Sequence, residues 1–345
     1  MTKVAPIPPP IGPTSFRGYR GDADLAGMLA VYNGARRADG VTTLETLQGF
    51  ENTYRHLTNC DLATDTLLAQ QGERIVGYAR VTWWVEEATR DRVLLNLYWL
   101  LPEARGGSVA EAMLAWAETR LAEIARDIPH DGREFLVAYL DGGEDEREAV
   151  LRAAGYARTQ TYAEMTRPLD LPIPDLPLPE GVALRPVTWD DGRSLWEADQ
   201  RAFRDHVGYS PGTEADYQQW LGFEHADPAL WKVAFVGDAI AGQVLNYVNE
   251  PENAAFGRKR GWTEDIAVQR EWRGRGVARA LIAESMRMFR DMGMTEVALG
   301  VHTTNPTGAF RLYEGLGYRV VTTSWELRRL FPGPPPSPAK DAVGN

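Results

Sequence analysis

The chain has 345 residues, 44% of them hydrophobic, and a net charge of -11, which is length enough for two ordinary domains with cores of their own. The acid excess argues against non-specific nucleic-acid binding, which needs positive charge, and suits a cationic substrate such as an amine. The single cysteine, Cys60, excludes an intrachain disulfide and a cysteine-rich metal site. His206 and His225 lack partners at metal-ligand spacing, so no metal is expected. No apolar run reaches the ~18 residues of a membrane span. The start of the chain lacks the apolar stretch of a secretory signal, so a cytoplasmic location is expected.

Residues 1–13 are proline-rich and read as a flexible arm. A strand is expected over 16–20, an Asp-rich helix start at Asp22 and Asp24, and helices over 25–37 and 43–58. Strands follow at 65–70 and 75–85 around Gln71-Gly72-Glu73, and an aromatic strand at 93–101. Next come the turn Arg105-Gly106-Gly107-Ser108, a long helix to about Ile128, and a strand over 134–140. Pro168, Pro172, Pro174, Pro177 and Pro179 then mark an extended, semi-rigid linker, residues 169–180.

Beyond the linker the pattern restarts. A strand over 182–186, helices from Asp190 and over 213–222, and strands over 231–236 and 240–248 are expected. A strand over 263–268 then leads into Gln269-Arg270-Glu271-Trp272-Arg273-Gly274-Arg275-Gly276, and a helix over 276–292 leads out. A glycine-bearing turn at a helix N-terminus is a device for holding phosphate. The glycines admit a close ligand, the first-turn N–H groups are free, and the helix dipole favours negative charge. Arg273, Arg275 and Arg279 add charge around it. The P-loop is ruled out because no Gly-Lys-Ser/Thr follows, and the glycine spacing is wrong for a dinucleotide fold. After it come a strand over 296–302, the break Asn305-Pro306, a helix over 307–314, and Gly317-Tyr318.

These two blocks, the Arg-Gly turn and Asn305-x-x-x-Ala309-x-x-x-Tyr313-Glu314-x-x-Gly317-Tyr318, together resemble the GNAT superfamily of acyl-CoA-dependent N-acyltransferases. Arg105-Gly106-Gly107 answers Arg273-Gly274-Arg275, and Gly155-Tyr156 answers Gly317-Tyr318, an internal repeat. The resemblance therefore implies an α/β (α+β) protein of two tandem GNAT-like domains, each a mixed central sheet flanked by helices. Their expected extents are 14–168 and 181–330, with 331–345 a disordered tail. The tandem form resembles mycothiol synthases in architecture.

The copies are unequal. The first has Ser108 at the position of Gly276, Leu151 at that of Tyr313, and Gly-Gly-Glu-Asp at 142–145 in place of the Asn305 region. It reads as degenerate, a support that walls the cleft of the second, with a weak second cofactor site as its rival.

In the second copy the resemblance implies pyrophosphate binding at Arg273, Gly274, Arg275, Gly276, Val277 and Ala278. It places Ile266 and Val268 against the acyl arm and Asn305 beside the cofactor. Tyr313 matches the family's general acid. The base is open between Glu264 and Asp265. Strand alternation lets only one face the cleft, and Glu264 shares parity with Ile266 and Val268. His302 reads as structural, while His206, Tyr209 and Trp220 are candidates for shaping the acceptor site. The expected reaction is direct acetyl transfer from acetyl-CoA to a primary amine on a small molecule, by a monomer or homodimer. A non-catalytic acyl-CoA sensor and a peptide or protein N-acetyltransferase are the alternatives.

Overall fold

The computed structural model describes residues 5–106, 108–304 and 307–331. The first half runs β1 (Ser15–Gly18), α1 (Leu25–Ala38), α2 (Leu47–Arg55), α3 (Leu62–Asp65), β2 (Thr66–Gln71), β3 (Arg74–Val85), β4 (Arg92–Leu100), α4 (Ser108–Asp127), β5 (Glu134–Asp141), α5 (Asp145–Ala153) and β6 (Ala157–Pro168). The second repeats its strand order as β7 (Ala183–Arg185), α6 (Gly192–Phe203), α7 (Glu214–Leu221), β8 (Lys232–Val236), β9 (Ala239–Tyr247), α8 (Glu250–Phe256), β10 (Arg260–Val268), α9 (Val277–Asp291), β11 (Glu296–His302), α10 (Ala309–Gly315) and β12 (Arg319–Leu330), with α8 between the third and fourth strands and no counterpart of α3 among the described residues.

All strands join one 12-stranded sheet in the order β1-β2-β3-β4-β5-β12-β6-β11-β10-β9-β8-β7. Only β4–β5 and β10–β11 are parallel, so the sheet is mixed. At its centre the halves exchange strands. β12 lies between β5 and β6 of the first half, from Ser324↔Asp141 to Leu330↔Phe135 on one side and from Arg319↔Thr166 to Arg328↔Ala157 on the other. Reciprocally, β6 lies between β12 and β11, from Glu296↔Pro168 to His302↔Tyr162. Neither β6 nor β12 was legible in the sequence. Charge obscures them, because Glu326 and Arg328 look like a solvated face. In the fold Glu326 is 3% exposed and ion-paired to Arg328, which also reaches Glu86 at 2.6 Å.

The helices cover the sheet through apolar stripes at helical spacing. On α9, Val277, Ala280, Leu281, Met286 and Phe289 are buried, and Gly261 on β10 leaves room for the Phe289 ring, which a Cβ would meet at 2.5 Å. The linker is extended but docked. Leu169 N donates to Thr295 O at 2.9 Å, and Ile173, Leu176 and Leu178 pack on the second core. At the start of the chain, Ala5 is buried in the first core at 2% exposure. No helix among the described residues is long and apolar enough to cross a membrane.

Candidate active site

β10 and β11 are paired only over Arg260↔Glu296, Gly261↔Val297 and Trp262↔Ala298. Beyond Trp262 the strands part. Thr263 bridges the fork, its hydroxyl donating to Ala298 O at 3.0 Å and meeting the Tyr318 hydroxyl at 3.1 Å. The fork opens into a cleft of about 820 Å³. Glu264, Asp265, Ile266, Val268, Arg273, Gly274, Gly276, Val277, Ala278 and Tyr313 all line it, as do His206, Arg279 and His302. Residues spread along the chain from Ala202 to Tyr313 thus meet in one space.

At the loop, Gly274 and Gly276 have φ of +73° and +90°, and a Cβ on either would project into open space. No side chain caps α9, so its first N–H groups are available at the cleft wall. This bare, positively biased turn fits a diphosphate. The arginines divide their tasks. The Arg273 guanidinium turns inward, donating to Val268 O at 3.1 Å and Ala202 O at 2.6 Å and pairing with Asp205 at 2.7 Å. It braces the loop against α6, so what it offers a ligand is its backbone. Arg275 lies over the Trp272 ring at 4.8 Å and is not among the cleft-lining residues. Arg279 lines the cleft and has no ion pair among the described residues. Asn305 lies outside the described residues.

Strand alternation gave the wrong answer at the carboxylates. β10 carries a bulge: its register against β9 shifts between Glu264 and Ala267, and Asp265 sits at φ +45°. An extra residue in one strand breaks the two-residue period, so Glu264 and Asp265 both reach the cleft. Glu264 Oε1 accepts from Gly300 N at 2.9 Å, spanning the fork. Burial, reinforced by the Asp265 charge, pushes its carboxyl up to about 8 against the pull of that hydrogen bond. Burial also raises Asp265, with the facing Trp220 indole opposing. Solvent reaches Asp265 along the cleft even though protein rings it, which tempers that rise.

Tyr313 is 6% exposed, and its hydroxyl has no protein hydrogen-bond partner among the described residues. Burial first, then the Glu264 charge, raises its pKa, so the phenol stays protonated near neutrality. The sequence reading missed Asp199 on α6. Its Oδ1 is buried without a partner, and burial and Asp265 hold its carboxyl well above the usual range. His302, expected to be structural, lines the cleft with Nε2 on Gln160 Oε1 at 2.6 Å and its ring 5.7 Å from that of His206.

The first half repeats this frame without the carboxylate and phenol of the cleft. Arg105 donates to Leu100 O and Ala35 O and pairs with Asp39, as Arg273 does to Val268 O, Ala202 O and Asp205. Asn96 donates to Val137 O at 2.8 Å and meets the Tyr156 hydroxyl at 3.0 Å, as Thr263 meets Ala298 and Tyr318. Tyr156 N donates to Leu151 O at 3.0 Å, as Tyr318 N does to Tyr313 O at 3.1 Å. Counting from these anchors, Leu97 follows Asn96 where Glu264 follows Thr263, Leu151 replaces Tyr313, and Tyr139 replaces Gly300.

Comparison with known proteins agrees with this frame. The model of the acetyltransferase (GNAT) family matches residues 192–318. The chain is 34% identical over 212 residues to a mycothiol acetyltransferase of Thermobispora bispora, covering 57% of this chain and 70% of that one. It is 28% identical over 319 residues to one of Nocardiopsis dassonvillei, covering 86% and 90%. Among solved structures, a GCN5-related N-acetyltransferase from Sphaerobacter thermophilus superposes with a TM-score of 0.64 at 24% identity, over 92% of this chain and 96% of that one. A tandem GNAT protein from the clavulanic acid biosynthesis pathway gives 0.63 at 16%, over 93% and 100%. The chain belongs to the GNAT family of acetyltransferases, in its tandem form.

Proposed function

We propose that the chain moves an acetyl group from acetyl-CoA to the primary amine of a small molecule, by direct transfer, in the cleft between β10 and β11. The observation that carries this is that Glu264 and Tyr313 line the same cleft onto which the Gly274–Gly276 turn opens. Relatives named mycothiol acetyltransferases favour a small-molecule acceptor over a protein.

Acetyl-CoA, when bound, supplies an activated thioester. The backbone amides at 274–278 would hold its diphosphate, with Arg279 adding charge, and the parted edges at Ile266 and Val268 would take the acyl arm. Glu264 accepts the proton of the attacking amine, directly or through water. Tyr313 donates its proton to the departing thiolate. Asp265, on the cleft wall, is placed to attract the cationic acceptor. The first half, with Leu97 and Leu151 in place of the acid–base pair, contributes a wall and the strand β6.

The test is thiol release from acetyl-CoA with a panel of small amines and peptides. Release that depends on a small amine supports the reading, and binding without release points to a sensor. Tyr313→Phe is expected to lower kcat by about 10²-fold with acetyl-CoA affinity unchanged. An unaltered kcat removes Tyr313 as the acid.

A further inference from the structure

A second cavity, about 310 Å³, lies in the first half at the fork where β4 and β5 part after Leu95↔Val137. It occupies the place that the acyl cleft holds in the second half. Its chemistry is different. Trp99 and Tyr139 stand on the parted strands, and Phe50, Tyr54 and Tyr78 complete an aromatic wall. Three arginines, Arg36, Arg80 and Arg147, also line it, each beside a ring at 4.9 Å from Tyr32, 5.3 Å from Tyr54 and 4.7 Å from Tyr98.

Among the lining residues, the buried polar atoms left without a partner are all guanidinium donors: Arg36 Nε, Arg80 Nε, and Arg147 Nε and Nη2. Three carboxylates also face the space. Asp141 pairs with Arg36 at 2.9 Å, and Glu144 pairs with Arg147 at 3.0 Å. Glu45 is crowded by Glu224, and burial, then that charge, raises its pKa, which lessens its opposition to an anion. Arg80 is 9% exposed and has no carboxylate partner among the described residues. Its neighbours Tyr54, Tyr78 and Cys60 all have pKa values raised by burial, so they stay neutral and provide no counter-charge. A buried guanidinium without an anion is costly, and its fork geometry matches a carboxylate.

We propose that this cavity is a binding site for a small monocarboxylate with a flat apolar body, its carboxylate on Arg80 and Arg147 and its body against Trp99 and Tyr139. The ring of Tyr139, where the second half has Gly300, occupies space an acyl arm would need, so the two forks serve different ligands.

The experiment is calorimetric titration of the full chain with benzoate, phenylacetate and hexanoate, each against its neutral amide. One site per chain is expected, with each amide at least about tenfold weaker, the scale of a charge-assisted hydrogen bond. Arg80→Met and Arg147→Met are expected each to weaken the carboxylate by a similar factor. Acetyl-CoA affinity at the other cleft, measured on the same variants, reports that they are folded. An amide that binds as well as its acid, carboxylate binding retained in both folded variants, or no saturable binding by any of the three acids overturns the proposal.

Discussion

Glu264→Gln is expected to lower kcat/KM for amine acetylation by about 10²- to 10⁴-fold, the range for loss of a positioned base, while acetyl-CoA still binds. Glutamine keeps the shape and can still meet Gly300 N, but it cannot take a proton. The same carboxyl sets the pH profile. Because burial and Asp265 push it up to about 8, it is protonated below that value, so kcat/KM should climb through about 8 and level off above. In the Gln variant that inflection should vanish. Stability moves the other way. The folded pKa lies above the ordinary value of 4.5, so between 4.5 and about 8 the folded state holds the extra proton. Stability contributed at this site is therefore present at low pH and lost as pH rises through that window. Glu264→Gln should melt above the parent at pH 9 and close to it at pH 4. An inflection that survives in Glu264→Gln and disappears in Asp265→Asn transfers the role to Asp265.

The second large effect concerns strand exchange. Residues 1–168 and 169–345, produced separately, are each expected not to fold, and to regain a cooperative melt only when mixed. Each half lacks the strand the other inserts. Without β12, β5 loses its antiparallel partner over Ser324–Leu330, and the buried Leu327 is lost from the first core. Without β6, β11 loses pairing over seven positions from Glu296 to His302, and Ala163 and Met165 leave the second core. Unpaired edges of that length invite aggregation. A lone second half that melts cooperatively and binds acetyl-CoA like the full chain contradicts this. The proline linker thus joins two halves that share one sheet.

What the sequence disclosed follows from how local each signal is. The strand 296–302, the Arg-Gly turn and the helix behind it depend on short-range pattern and turn chemistry. So the loop, Tyr313 and both carboxylates were found. The repeat was legible through glycines and tyrosines that the fold uses in the same hydrogen bonds twice. Three features were hidden because they depend on partners far away in the chain. β6 and β12 carry charges that only pairing across the exchange neutralises, as with Arg328 between Glu86 and Glu326. The bulge at Asp265 has no glycine to announce it, so alternation misjudged which carboxylates face the cleft. Arg273 resembles a ligand-binding arginine in sequence, whereas Asp205 and two carbonyls claim its side chain.

The most direct test of the cleft between β10 and β11 as the acetyl-CoA site is calorimetric titration of the intact chain and of Gly274→Glu with acetyl-CoA. At φ +73° any side chain is strained, and glutamate would project a negative charge into the open cradle. One site per chain in the parent, and none in the variant with its fold intact by melting, is the predicted result. Two sites in the parent, or undiminished affinity in Gly274→Glu, would contradict it.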